Sequence, residues 1–108
     1  MYAVFDAESI EGRRKPIARE LGARAVKLNR FDSEPGQEGF AHDERESGQE
    51  EIYLAVAGSG VIRIGAEEVP FAPGRFVLVS PEETRQVVAG PDGLSYVVAG
   101  AVVDTFSA

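Results

Sequence analysis

From residue 51 to residue 103 the chain is a run of short apolar segments, rich in β-branched and aromatic residues, each cut off by glycine or proline. Nothing else in the sequence constrains the fold as strongly. Residues 51–57 stop at Gly58-Ser59-Gly60, and residues 61–64 lead through Gly65-Ala66 into residues 67–71. Pro73-Gly74 precedes residues 76–79, Ser80-Pro81 precedes residues 85–89, and Gly90-Pro91-Asp92-Gly93 precedes residues 95–103. Strands spaced about 8–12 residues apart, with turn signals between them, predict an antiparallel sandwich or a closed barrel. In this reading Gly58-Ser59-Gly60 and residues 90–93 are hairpin turns, each separating two strands.

The chain upstream is less regular. Residues 2–5 are an apolar run read as an edge strand. Pro16 and Gly22 bracket one short helix, with Ile17, Ala18 and Leu21 on its apolar face. From Ala25 the period becomes two: Val26 and Leu28 alternate with Lys27 and Asn29, predicting a strand with Val26 and Leu28 inward. Residues 1–24 therefore read as an N-terminal extension and residues 25–108 as an all-β barrel domain. The predicted core comprises Val26, Leu28, Ile52, Leu54, Val56, Ile62, Ile64, Phe71, Phe76, Leu78, Val87, Tyr96 and Val98. Alternation requires some of these to line the barrel and others to lie on its outer face.

Charge and composition exclude several functions. Eighteen acidic residues against 11 basic give a net charge of −7, which repels a phosphate backbone and argues against nucleic acid as a partner. The basic cluster Arg13-Arg14-Lys15 sits among Glu8, Glu11 and Glu20 and reads as a solvated face. There are no cysteines, so disulfides, thiolate metal sites and cysteine nucleophiles are ruled out. No apolar run approaches the ~18 residues of a membrane span, and the amino terminus has no secretory pattern. The expectation is a cytoplasmic protein with no membrane partner.

Candidate chemistry gathers around the single histidine. If His42 begins a strand, His42 and Glu44 project to one face, and Glu51 and Tyr53 share a face of the next strand. One imidazole and two carboxylates, His42, Glu44 and Glu51, could bind iron, manganese, nickel or zinc. Gly58-Ser59-Gly60 has no following Lys-Ser/Thr and is not a phosphate loop, and no nucleophile elbow occurs.

The spacing of these residues resembles that of the cupin superfamily, small jelly-roll barrels. The first cupin motif reads Gly, five residues, His-x-His, three or four residues, Glu, six residues, Gly. Gly36 and His42, then Glu51 and Gly58, reproduce its two outer halves. The second motif, Gly, five residues, Pro-x-Gly, two residues, His, maps onto Gly74, Ser80-Pro81-Glu82 and Arg85. The resemblance implies an all-β, cupin-like jelly-roll (double-stranded β-helix) barrel with a short N-terminal helix. It also implies a homodimer, in which residues 2–5 pair with a second copy. Two of the four metal-ligand positions differ: Glu44 stands at the second histidine and Arg85 at the last.

A guanidinium cannot ligate a metal and repels one nearby. Arg85 facing inward would instead pair with Glu44 or Glu51; facing outward, it would leave Thr84 or Gln86 inside. The leading expectation is a barrel without the usual metal centre that binds a small carboxylate or phosphate through His42, Glu44, Glu51, Tyr53 and Arg85, with no cofactor. One alternative is a dioxygenase or isomerase with one divalent metal on His42, Glu44 and Glu51. Another is a non-catalytic structural or regulatory dimer. No residue is assigned a catalytic role from sequence, and whether the chain is an enzyme is left open.

Overall fold

The computed structural model describes residues 1–106. It is predominantly β. A single 3₁₀ turn, Ala7–Ser9, is capped by the Asp6 carboxylate, which accepts from the Glu8 amide at 2.9 Å. Strand β1 (Arg14–Lys15) and helix α1 (Ile17–Leu21) follow, then β2 (Lys27–Ser33), β3 (Gln49–Ile64), β4 (Glu67–Phe71), β5 (Phe76–Val79) and β6 (Arg85–Val102). Helix α1 lies between Pro16 and Gly22 as the sequence predicts, and the left-handed Gly22 closes it by donating to the carbonyl of Arg19. All pairings are antiparallel. The sheet runs β1-β2-β6-β3-β4, and β5 adds to the free edge of β3. No helix among the described residues is long and apolar enough to cross a membrane.

Two predicted turns are absent. Residues 51–57 and 61–64 belong to one strand, β3, and residues 85–89 and 95–102 belong to another, β6; the two pair from Gln49 with Val102 to Ile64 with Arg85. Register shifts fall between Ala55 and Ala57 and between Gly58 and Gly60, where the ribbon bends. The glycines there serve close approach rather than reversal. Gly58 is left-handed (φ 79°), and a Cβ on it would collide with the carbonyl of Gly93; one on Gly60 would strike the carbonyl of Val88. Bent strands let one ribbon serve both halves of a barrel. Its outer edge takes β5 along residues 51–54 and β4 along residues 60–64.

The run 2–5, expected as an edge strand, forms no strand and stays outside the sheet. The N-terminal strand is instead the two-residue β1, tied to β2 by the pairs Arg14–Phe31 and Lys15–Arg30. The buried Lys15 ammonium meets Asp32 at 3.2 Å and Arg13 is half-buried, so of the basic cluster only Arg14 keeps the solvated position predicted for all three.

Inside the barrel lie Tyr53, Ala55, Ile62, Phe71, Val79, Val87, Ala89, Leu94, Tyr96 and Val98. Ile62, Phe71, Val87, Tyr96 and Val98 match the predicted core. The phase of β2, of β5 and of β3 before its register shifts is opposite to the prediction: Val26, Ile52, Val56, Phe76 and Leu78 are exposed, while Glu51, Tyr53 and Val79 point in. Both faces of β3 carry apolar residues, and the buried face starts with a carboxylate. A hydrophobicity pattern therefore selects the wrong face.

Candidate functional site

Four strands set the site in one row. Lys27 on β2 pairs with Gly100 on β6, which pairs with Glu51 on β3, which pairs with Val79 on β5. Gly100 has no side chain to intervene; a Cβ there would sit 3.1 Å from Lys27 Cε and 3.4 Å from Glu51 Cγ. Lys27 therefore reaches across β6, and its ammonium lies 2.9 Å from Glu51 Oε2. The opposite wall is a backbone bridge in which His42 and Arg85 exchange amide hydrogen bonds of 3.0 and 2.9 Å. That bridge turns both side chains toward Glu51.

Glu51 is the hub. Its Oε1 accepts from the Tyr53 hydroxyl at 2.9 Å and from Arg85 Nη2 at 3.0 Å. His42 Nε2 lies 3.6 Å from the same oxygen and 3.4 Å from Glu44 Oε2. Burial favours the neutral acid, but hydrogen bonds from His42, Lys27 and Tyr53 outweigh it and hold the Glu51 carboxyl well below the usual carboxylate range. The same contact with Glu51 raises the pKa of His42, and Nδ1 donates to the Phe40 carbonyl at 3.3 Å. Facing a carbonyl on one side and two carboxylates on the other, the ring has an acceptor for each N–H group, an arrangement that favours its protonated form. Burial pushes the Tyr53 hydroxyl up, and the Glu51 charge adds to this, so Tyr53 stays a hydrogen-bond donor.

Arg85 faces inward, and its side chain is 0% exposed. Every nitrogen of its guanidinium is engaged: Nε donates to Tyr53 at 3.3 Å, Nη1 to the carbonyls of Glu83 at 2.6 Å and Ser80 at 3.4 Å, and Nη2 to Glu51. The pairing of Arg85 with a carboxylate expected from sequence is present, with Glu51 as the partner. The fork expected to grip a ligand is directed at protein groups instead. Glu44 lies beside His42, its Oε1 accepting from the Ser47 hydroxyl at 2.8 Å, and it does not line the cavity that opens above the cluster.

Above this cluster opens a cavity of about 460 Å³. His42, Glu51, Tyr53 and Arg85 form one end, as the sequence suggests. Several lining residues were missed, Lys27, Arg13 and Phe31 foremost among them. Lys27 and Phe31 share a phase of β2 with Asn29, and the aromatic ring at Phe31 was the signal that this phase points inward. For Arg13 the sequence held no signal, because its partners are remote. Its Cζ lies 5.0 Å from the centroid of the Phe31 ring, and its Nη2 donates to the Tyr96 hydroxyl at 3.4 Å. Phe31 stacks on Tyr96, with centroids 5.2 Å apart, to make the aromatic wall.

Neither a family model nor a curated protein matches the chain. Solved structures do. A cupin protein from Bacteroides fragilis is 19% identical over 99% of this chain and 89% of its own, with a TM-score of 0.86. The chain has the cupin fold. A sugar phosphate isomerase of the cupin superfamily from Silicibacter pomeroyi superposes on this cupin barrel at 21% identity, covering 85% of this chain and 66% of that one, with a TM-score of 0.71. A predicted oxalate decarboxylase from Thermotoga maritima does so at 20% identity, covering 80% and 74%, with a TM-score of 0.68.

The cupin fold raises the question of a metal. His42, Glu44 and Glu51 offer ligand atoms within 4.8 Å of one another, a spacing able to gather around an ion. The charges around them do not suit one. Arg85 and Lys27 already cover both oxygens of Glu51, and neither cation is a ligand. A divalent ion here would face a fixed guanidinium and would have to displace an ammonium.

Proposed function

We propose that this cupin barrel binds a small anionic molecule, carrying a carboxylate or phosphate, in the cavity above Glu51 and without the metal centre usual for its fold. One observation carries the reading: protein cations neutralise both oxygens of Glu51, at 2.9 and 3.0 Å, and further cationic side chains line the same cavity of an acidic chain. His42, Glu51, Tyr53 and Arg85 serve as its preorganised base, and Glu44 supports that base through His42. Two structures of the same fold carry the names of a sugar phosphate isomerase and an oxalate decarboxylase, and both names denote anionic substrates.

Elemental analysis of untagged protein, with thermal melts in the presence of oxalate, glucose 6-phosphate and Mn²⁺, Ni²⁺ or Zn²⁺, tests the reading. An anion raises the melting temperature and none of the metal ions does so; stoichiometric metal with no response to anions refutes it. The competing reading is a metal-dependent dioxygenase or isomerase on His42, Glu44 and Glu51. Its support is the 4.8 Å ligand spacing. A reading as a structural or regulatory dimer survives only if neither anion nor metal shifts the melt.

A second copy of the chain is proposed as partner. Exposed Ile52, Phe76 and Leu78 on neighbouring β3 and β5 support it, whereas the strand expected at residues 2–5 does not form. The cysteine-free composition supports a cytoplasmic setting.

A further inference from the structure

At the end of the cavity away from Glu51, Arg13 is held with unused hydrogen-bonding capacity. Its guanidinium lies on the Phe31 ring at 5.0 Å, and among the described residues no carboxylate comes within ion-pair distance of it. Lys15, Lys27, Arg30, Arg45, Arg63 and Arg85 each have such a partner. Its side-chain hydrogen bond goes to the Tyr96 hydroxyl at a long 3.4 Å, and among the described residues its buried Nε has no partner. A buried donor without an acceptor is a cost that folded proteins rarely leave standing.

The surroundings fix this side chain in place. The Arg13 carbonyl accepts from the Asp32 amide at 2.9 Å, which anchors the backbone beside Phe31. Gly39 leaves the room: a Cβ there would lie 3.0 Å from Arg13 Nη2. The arginine is therefore positioned by β1, β2 and Gly39, while its planar edge keeps donors to spare.

We infer, on the reading that the cavity binds an anion, that Arg13 stacked on Phe31 holds the ligand's oxyanion, a carboxylate or phosphate monoester, while the ligand's body lies along Tyr96 toward Glu51. Two parallel N–H groups on one guanidinium edge match two oxygens of either anion. Arg85, with every nitrogen engaged by the protein, only orients Glu51 and Tyr53. The ligand class that follows is a small organic acid or phosphate ester with an apolar or hydroxylated body and its anion against Arg13.

Calorimetric titration with benzoate, phenyl phosphate and neutral benzamide tests this. Wild type binds benzoate or phenyl phosphate and not benzamide, and whichever anion binds more tightly identifies the head group. Arg13→Gln weakens that binding at least about tenfold, the loss expected when hydrogen bonds to a charged group are removed. Arg13→Lys, which keeps the charge and loses the fork, falls between the two. The Arg13 Nε–H resonance of the wild-type protein shifts on titration with the same Kd, a readout that needs no variant to fold. Equal binding by wild type and Arg13→Gln, or an unmoved resonance while an anion binds, overturns the role of Arg13 and leaves the anion site intact. Failure of both anions to bind the wild type overturns both readings.

Discussion

Arg85→Ala removes a guanidinium whose side chain is 0% exposed and which bonds Glu51, Tyr53 and the carbonyls of Glu83 and Ser80. What remains is a carboxylate 4% exposed with only Lys27, His42 and Tyr53 to hold it, together with two carbonyls short of a donor. Breaking a buried ion pair from one side costs about 3–5 kcal/mol, because the surviving charge stays desolvated. At roughly 4–8 °C per kcal/mol for a domain near this size, the melting midpoint falls by at least about 12 °C. Urea unfolding followed by circular dichroism gives the free energy directly. The double variant Glu51→Gln with Arg85→Ala removes the stranded charge as well. It should lose less than the two single losses added, with a coupling energy of about 0.5–3 kcal/mol. A midpoint for Arg85→Ala within 2 °C of wild type, or strict additivity in the cycle, refutes the placement of this pair at the centre of the barrel's polar cluster.

The ion pairs of His42 carry a pH signature. Because its folded pKa is raised above 6.5, its contribution to stability is fully present below pH 6.5 and fades as pH rises through the folded value; melts between pH 5 and 9 should show this slope in wild type and lose it in His42→Gln. Glu51 acts in the opposite direction: its depressed folded pKa contributes stability above about pH 4.5 that is lost on acidification, so Glu51→Gln flattens the acid limb of a pH titration of unfolding. Gly58→Ala places a Cβ against the Gly93 carbonyl at a left-handed backbone, and a loss of about 2 kcal/mol or more in urea unfolding is expected. Light scattering at micromolar concentration should report a dimer for wild type and a monomer for Leu78→Glu, whose parent side chain is 60% exposed beside Phe76.

How much of this was legible depended on how local each signal was. Strands β4 and β5 occupy the residues the sequence assigned them, since each is short and bracketed by a turn. Helix α1 was equally plain from Pro16 and Gly22. Strands β3 and β6 were divided because glycines that permit two backbones to touch look, in one dimension, like glycines that permit reversal. Only the distant carbonyls of Gly93 and Val88 tell the two apart. His42, Glu51 and Tyr53 were singled out from strand alternation and Arg85 from the cupin resemblance, and the four side chains converge. Lys27 was misplaced by a phase error, and Arg13 was dismissed because its role depends on Phe31 and Tyr96, which no local pattern connects to it.

Strand β6 is zipped to β3 along its whole length and to β2 over its second half, so it is the seam of the barrel. Every partner of that seam precedes it in the chain. During synthesis β4 and β5 can pair with β3, and β1 with β2. Those two groups of strands have no ladder joining them until β6 emerges, so the barrel closes only once Val102 has cleared the exit tunnel. Such late closure over long loops makes for slow folding and leaves the nascent strands open to chaperones or to one another. The same wiring leaves no half of the barrel that could survive a break in the seam.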